Sequence, residues 1–329
     1  MSVPERSGSP NPTRRQFLTL GVGAFVVGTV PLTGLRRRRV RRTVPVMGTI
    51  AEFAVVHRNP VYAYAAIDAA MARLTLIETL MTRYTDTSDV GRANRVGGHE
   101  AVHVTAETAS VLAAALDWAA ATEGAFDPCM GSAIELWDVG RRQEPPSADA
   151  VRRLAGQRFY RDLDLDRWQG RPAARLTAPE ARIDLGGIGK GYGVDQAVRV
   201  LRDWGIRDAV VNVGGDLYAM GRSEDGTPWR IGVRSPASAR EMLATLEVED
   251  RAIATSGDYL QYFEYHGRRY HHLLDPTTAA PRLSTMHSIT VLADDCITAD
   301  AGATACFGRD VEVGSRLLAR RSGHIVHHV

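Results

Sequence analysis

The sequence predicts an α+β fold, and three observations carry that expectation. The 329 residues are 44% hydrophobic and 24% charged, a globular balance that leaves no case for a disordered, collagen-like or coiled-coil chain. Short apolar runs of strand character recur through the body, punctuated by Gly, Pro and Asp. Helix-period segments interrupt them without the strict strand–helix–strand alternation of a parallel sheet. The length suits one large domain or two modest ones, with ample core.

In chain order, residues 49–56 alternate as a strand, and 61–80 and 106–121 show the apolar spacing of helices. Residues 141–150, with Pro145, Pro146 and Ser147, read as a surface insertion or lobe boundary. Residues 163–165 and 174–176 suggest short paired strands. A strand at 182–185 then leads through glycines into a helix at 194–204. Strands at 209–213 and 217–220 flank Gly214-Gly215, and 229–233, 243–248 and 259–265 continue the β pattern. A strand at 289–293 and a small-residue helix at 298–307 follow, and no tandem repeat is present. His324, His327 and His328 read as a polar tail.

The net charge of +2 is unevenly placed: residues 1–42 hold nine Arg against one acid, Glu5, which leaves 43–329 at −6. A mildly acidic body argues against nucleic acid as a partner, since phosphate contacts need a basic face. Thr13-Arg14-Arg15-Gln16-Phe17-Leu18 opens an uncharged run over 17–35 that resembles a twin-arginine export signal. Four Gly and three Thr make that run weakly apolar, poor material for a stable membrane span. The alternative is an N-terminal anchor, with Arg36–Arg39, Arg41 and Arg42 at the headgroups. No cysteine precedes Cys129, which argues against a lipoprotein anchor. The expected organisation is therefore a leader over 1–42 and a globular domain over 43–329. Its expected place is the periplasm or the extracytoplasmic face of the cytoplasmic membrane, with inner-membrane association if the leader stays.

Cys129, Cys296 and Cys306 are widely spaced and odd in number, which suits buried side chains better than a disulfide framework or a zinc site. The densest chemical signal is Asp184-Leu185-Gly186-Gly187-Ile188-Gly189-Lys190-Gly191-Tyr192-Gly193, which holds the only lysine in the chain. Glycines let backbone N–H groups approach a ligand, and a following helix N-terminus favours an anion, so this turn suits a phosphate. It matches neither the P-loop nor the dinucleotide fingerprint. In a second cluster, Asp300 and Thr304 are four residues apart on the late helix and share one face. A carboxylate with a hydroxyl suits a hard cation such as Mg²⁺, although the spacing alone is weak. A third cluster runs from Thr255-Ser256-Gly257, which offers hydroxyls and a flexible turn, to His271-His272 and Asp275-Pro276. Neighbouring strand residues face opposite ways, so both histidines do not ligate one ion.

Taken in order, these segments resemble the ApbE family of FAD:protein FMN transferases. The resemblance is carried by Met47-Gly48-Thr49, Met81-Thr82-Arg83-Tyr84, Gly124-Ala125-Phe126-Asp127-Pro128 and Leu136-Trp137. It continues through the glycine turn, Asn212-Val213-Gly214-Gly215-Asp216, Ala254-Thr255-Ser256-Gly257-Asp258-Tyr259, His272 with Asp275-Pro276, and Thr298-Ala299-Asp300 with Thr304. Any one of these is unspecific; the ordered set is not. The chain departs from the pattern at Glu135, at Ala279, where a glycine is usual, and after Cys306.

The resemblance implies an ApbE-like, T-fold-related architecture of two lobes built from β-sheet and helices. It implies that Met47, Tyr84, Ala125, Phe126 and Asp127 line the flavin, and that Asp184, Lys190 and His272 contact FAD. It implies that the Gly187 carbonyl, Asp300 and Thr304 hold Mg²⁺. The expected reaction moves FMN from FAD to a Thr or Ser hydroxyl of an acceptor redox protein and releases AMP. His272 or a metal-adjacent Asp would take the hydroxyl proton, with Asp300 essential to the metal. An FAD pyrophosphatase and a non-enzymatic flavin-binding protein remain the alternatives. The first yields free FMN, the second retains FAD unconsumed.

Overall fold

The computed structural model describes residues 38–98, 100–238 and 241–329. Strands β1 (Arg38–Val46) and β2 (Thr49–His57) come first, then α1 (Pro60–Met81), α2 (Asp89–Val96), β3 (Val102–His103) and α3 (Ala106–Ala121). Next are α4 (Gly131–Trp137), α5 (Ala148–Leu154), β4 (Leu163–Trp168), β5 (Arg171–Leu176) and α6 (Gly189–Asp203). They lead to β6 (Asp208–Val213), β7 (Asp216–Met220), β8 (Trp229–Arg234), β9 (Met242–Val248) and β10 (Arg251–Gly257). Four short strands follow, β11 (Tyr262–Tyr265), β12 (Arg268–His271), β13 (Leu274–Asp275) and β14 (Ala280–Pro281). The last elements are β15 (Ser288–Ala293), α7 (Cys296–Cys306), α8 (Val311–Ala319) and β16 (Gly323–His328).

The frame is a seven-stranded sheet in the order β1-β2-β6-β7-β10-β15-β16. Each neighbouring pair in it is antiparallel, so the class is α+β. Its strands are apolar on both faces, because the two-residue period feeds two cores. Ala51, Phe53 and Val55 of β2, with Tyr218 and Met220 of β7, enter the main core shared with α1, α6 and α7. Ala54, Val56, Leu217 and Ala219 point the other way, onto Trp229, Ile231 and Val233 of β8. The sheet is thus covered by helices on one side and by the β8–β9 hairpin on the other.

Helix ends follow from local chemistry. Asn59 caps α1 by accepting the N–H groups of Val61 and Tyr62, with Pro60 in the first turn. Asp295 caps α7 at Thr298 N. The half-buried Asp195 of α6 reaches across to accept from Cys296 N and Ile297 N, 2.8 and 2.9 Å away. Burial pushes the Asp195 carboxyl up to about 7, against the pull of those two N–H groups.

Several segments differ from the sequence reading. Residues 182–185 form only an isolated parallel bridge, Arg182 with Met130, and the Asn94 side-chain amide takes both backbone groups of Ile183 at 2.6 and 2.9 Å. Helix α6 starts at Gly189, so the glycines occupy its first turn. Residues 254–257 lie within β10 and not in a turn. His324, His327 and His328 belong to β16, an edge strand paired with β15, and not to a tail. Arg38–Arg42, grouped with the leader in the sequence, form the first half of β1. There Arg39 pairs with Glu224 and Arg42 with Asp68. The twin-arginine motif and the apolar run lie outside the described residues. Among the described residues, no helix is long and apolar enough to cross a membrane. The three cysteines are free and buried.

Candidate active site

One end of the sheet gathers the chemistry. Two tight hairpins turn there, Met47-Gly48 between β1 and β2, and Gly214-Gly215 between β6 and β7. All four turn residues have left-handed φ (54°, 68°, 63° and 103°), as two-residue hairpins of this hand require. Thr255 and Ser256 of β10, the start of α6 and one face of α7 complete the rim of a cleft of about 760 Å³. Met47, Tyr84, Ala125, Phe126 and Asp127 line it. So do Asp184, Gly187, Lys190, His272, Asp300 and Thr304. The structure therefore brings every sequence-derived candidate to a single cavity.

At the head of the cleft the glycine turn meets α7. Asp184 folds the turn by accepting Gly186 N at 2.7 Å, and its second oxygen lies 2.6 Å from Arg83 Nε. Arg83 also donates to Glu135 at 2.8 Å, so the unusual Glu135 supplies a second carboxylate to this arginine. A Cβ on Gly187 would stand 2.9 Å from Thr304 and 3.1 Å from Phe126, which shows how closely the turn lies against α7. A Cβ on Gly191 would stand 2.3 Å from Cys296 O, so only glycine lets α6 and α7 touch here. Gly191 N, one of the first-turn donors of α6, bonds Asp300 Oδ2 at 2.9 Å.

Lys190 sits between two buried carboxylates, 2.8 Å from Asp216 and 3.4 Å from Asp300. Burial opposes its charge, but Asp216 and Asp300 outweigh that and raise its pKa. For Asp216, burial and the neighbouring Asp300 push the carboxyl up while Lys190 pulls it down. Ser256 and Thr304 hydroxyls stand 3.5 Å apart at the same spot.

The two histidines separate: β12 ends at His271, and His272 lies in the bend beyond it. His271 Nε2 lies 3.1 Å from Arg282 O, away from the chemistry. His272 lines the cleft, with Nδ1 3.2 Å from the Gln261 carbonyl. Only a protonated Nδ1 can donate there, which leaves the Nε2 lone pair free. Burial, helped by His271 and Lys190, pushes the imidazole down to about 4, so it is neutral at pH 7. Asp127 accepts from Cys129 N and Tyr160 N, and burial nonetheless lifts it to about 6.

The donors here suit a hard cation. Asp300, Thr304 and the Gly187 backbone offer only oxygen, and two carboxyl groups, Asp216 and Asp300, face the single Lys190 ammonium there. Among the described residues, no three His, Cys, Asp or Glu side chains gather as a metal cluster, so a cation would complete its shell with other oxygens.

Sequence reasoning missed Asp216 and Arg282. Arg282 donates to the carbonyls of Phe307 (2.5 Å), Thr304 (3.2 Å) and Ala125, tying α7 to the loop before Phe126. Asp216 could have been found as an acid directly after a Gly-Gly hairpin turn. Arg282, one arginine among 39, gave no signal.

A model of the ApbE family matches residues 47–327, which span both hairpins, the glycine turn and α7. The chain belongs to the ApbE family. It is 33% identical over 262 residues to the FAD:protein FMN transferase of Vibrio cholerae serotype O1, covering 79% of this chain and 78% of that protein. The Treponema pallidum FAD:protein FMN transferase is 30% identical over 302 residues, 88% of this chain and 83% of the relative. Among solved structures, the ApbE protein of Thermotoga maritima superposes with a TM-score of 0.79 at 30% identity, covering 88% of this chain and 93% of its own. The flavin transferase ApbE of Vibrio cholerae superposes at 0.77 with 29% identity and the same coverage of each chain. These ApbE relatives share the sheet and helix arrangement that builds the cleft.

Proposed function

We propose that this chain transfers FMN from FAD to a Thr or Ser hydroxyl of an acceptor protein, releasing AMP. One observation carries the reading: the glycine turn and α7 meet, so that Lys190, Asp300, Thr304 and Gly187 converge at the head of a cleft lined by Met47, Tyr84 and Phe126. A dinucleotide with a ring system at one end and a diphosphate within matches that combination of apolar wall and charged head. The names of the relatives, FAD:protein FMN transferase, support the same substrate.

Phosphoryl transfer is catalysed mainly by position and charge, and the chain's residues divide that work. The Lys190 ammonium, at the glycine turn, holds the diphosphate. Asp300, Thr304 and the Gly187 carbonyl would hold Mg²⁺, which when bound polarises the phosphate oxygens. His272, neutral with a free Nε2, takes the proton of the acceptor hydroxyl. The acceptor oxygen forms a bond to the FMN phosphorus, the P–O bond to the AMP phosphate breaks, and AMP leaves. No nucleophile from this chain is needed. The acceptor is an extracytoplasmic redox protein in this reading, reached by twin-arginine export of the chain.

Asp300→Ala tests the site. The variant should lose Mg²⁺-dependent AMP release from FAD while keeping its melting temperature within a few degrees. Turnover equal to the parent would remove Asp300 from the reaction. Covalent flavin fluorescence on an added acceptor marks a transferase, and free FMN marks a pyrophosphatase.

A further inference from the structure

Asp216 has no assigned part in the transfer chemistry, yet the fold places it with care. It is the first residue of β7, on the sheet face that Tyr218 and Met220 turn toward the helices, and is 3% exposed. The turn before it is fixed: Gly215 N bonds Asn212 Oδ1 at 3.0 Å, and Asn212 Nδ2 bonds Glu52 at 3.0 Å. A Cβ on Gly214 would stand 2.8 Å from Thr49, so the hairpin is packed against β2 as well. Among the described residues, Asp216 Oδ2 has no partner beyond the Lys190 ammonium.

Lys190 is nearer Asp216 (2.8 Å) than Asp300 (3.4 and 3.5 Å). Two buried carboxylates share one ammonium, and an uncompensated buried charge is costly. Without Asp216, Asp300 would be the one carboxylate left to Lys190, and a neutral pair would form. We propose that Asp216 is a positioning residue for the cation site, holding Lys190 off Asp300 so that the Asp300 oxygens stay open to a divalent ion. The inference rests on the cation site of the FMN-transfer reading.

The test is Mn²⁺ binding to the full chain without FAD, read from the EPR signal of the free aqua ion. Variants are Asp216→Asn, Lys190→Met and the pair together, with Asp300→Ala as the reference for loss of the site. Asp216→Asn should weaken Mn²⁺ binding by about 10- to 100-fold, as loss of a residue that orients a metal ligand does. In the Lys190→Met background the same change should cost less than about threefold, because there is no ammonium left to hold. Asp216→Ser, which leaves room for water, should reproduce the loss and serves if the Asn variant folds poorly. Binding within about twofold of the parent in a folded variant, or an equal loss with and without Lys190, would overturn the proposal. If the parent binds Mn²⁺ and the Asp216 variants match it, this inference alone falls. If the parent binds none, the cation site falls and takes this inference with it.

Discussion

His272 shows most plainly how a single residue acquires its role. Its sequence neighbour His271 has the same side chain, but it ends β12 with its ring at the Arg282 carbonyl, while His272 lies beyond the strand and lines the cleft. The imidazole pKa is pushed from 6.5 down to about 4, so the base stays neutral through the ordinary working range. The acid limb of kcat/KM should therefore fall near pH 4. His272→Ala should lower turnover by about 10²- to 10⁴-fold and remove that limb. A pH–rate profile of both proteins checks this, and an unchanged rate would strip His272 of the base role. The same shift lowers stability as pH falls from 6.5 toward 4, because the unfolded chain takes up the proton first. At this scale, residues of unusual type were readable in advance: Lys190 is the sole lysine, and Asp300 with Thr304 has helical spacing. Arg282 was not, since its partners lie far along the chain, and for Asp216 the turn before it was legible but its pairing with Lys190 was not, because only packing brings them together.

Among the elements, the contact between α6 and α7 governs the site. Gly191→Ala would drive a methyl into Cys296 O and part the two helices. We expect a loss of about 1–3 kcal/mol in urea unfolding, together with weakened Mn²⁺ binding, because Lys190 and Asp300 separate. A variant of native stability and affinity would show that the helices do not need this approach. Long periodic elements were legible: residues 106–121 coincide with α3, and 61–80 fall within α1. Strand β1 was hidden because its Arg-rich sequence reads as a basic leader, although Val40 and Val46 are buried. The β13–β14 turn holds the one departure from the family pattern with a visible cost. Ala279 takes φ 51°, the left-handed conformation that the usual glycine adopts freely.

At the scale of the whole molecule, the cleft and the start of β1 lie at opposite ends of that strand. β1 runs nine residues, roughly 30 Å, from Arg38 to the Met47 turn. Arg38, where the described residues begin, thus lies at the end of β1 away from the cleft. Fold class, the glycine turn and the late helix could all be read from the sequence, because each rests on local pattern. The closure of the sheet by β16 and the second core under β8–β9 depend on long-range pairing and could not. Transfer of FMN onto another protein is the claim on which the functional account rests. Intact mass of a purified acceptor, incubated with FAD, Mg²⁺ and this protein, tests it most directly. The account predicts an increment equal to FMN less one water, on a Thr or Ser, with AMP released in equal amount and none formed by Asp300→Ala. An acceptor of unchanged mass alongside accumulating free FMN would contradict it.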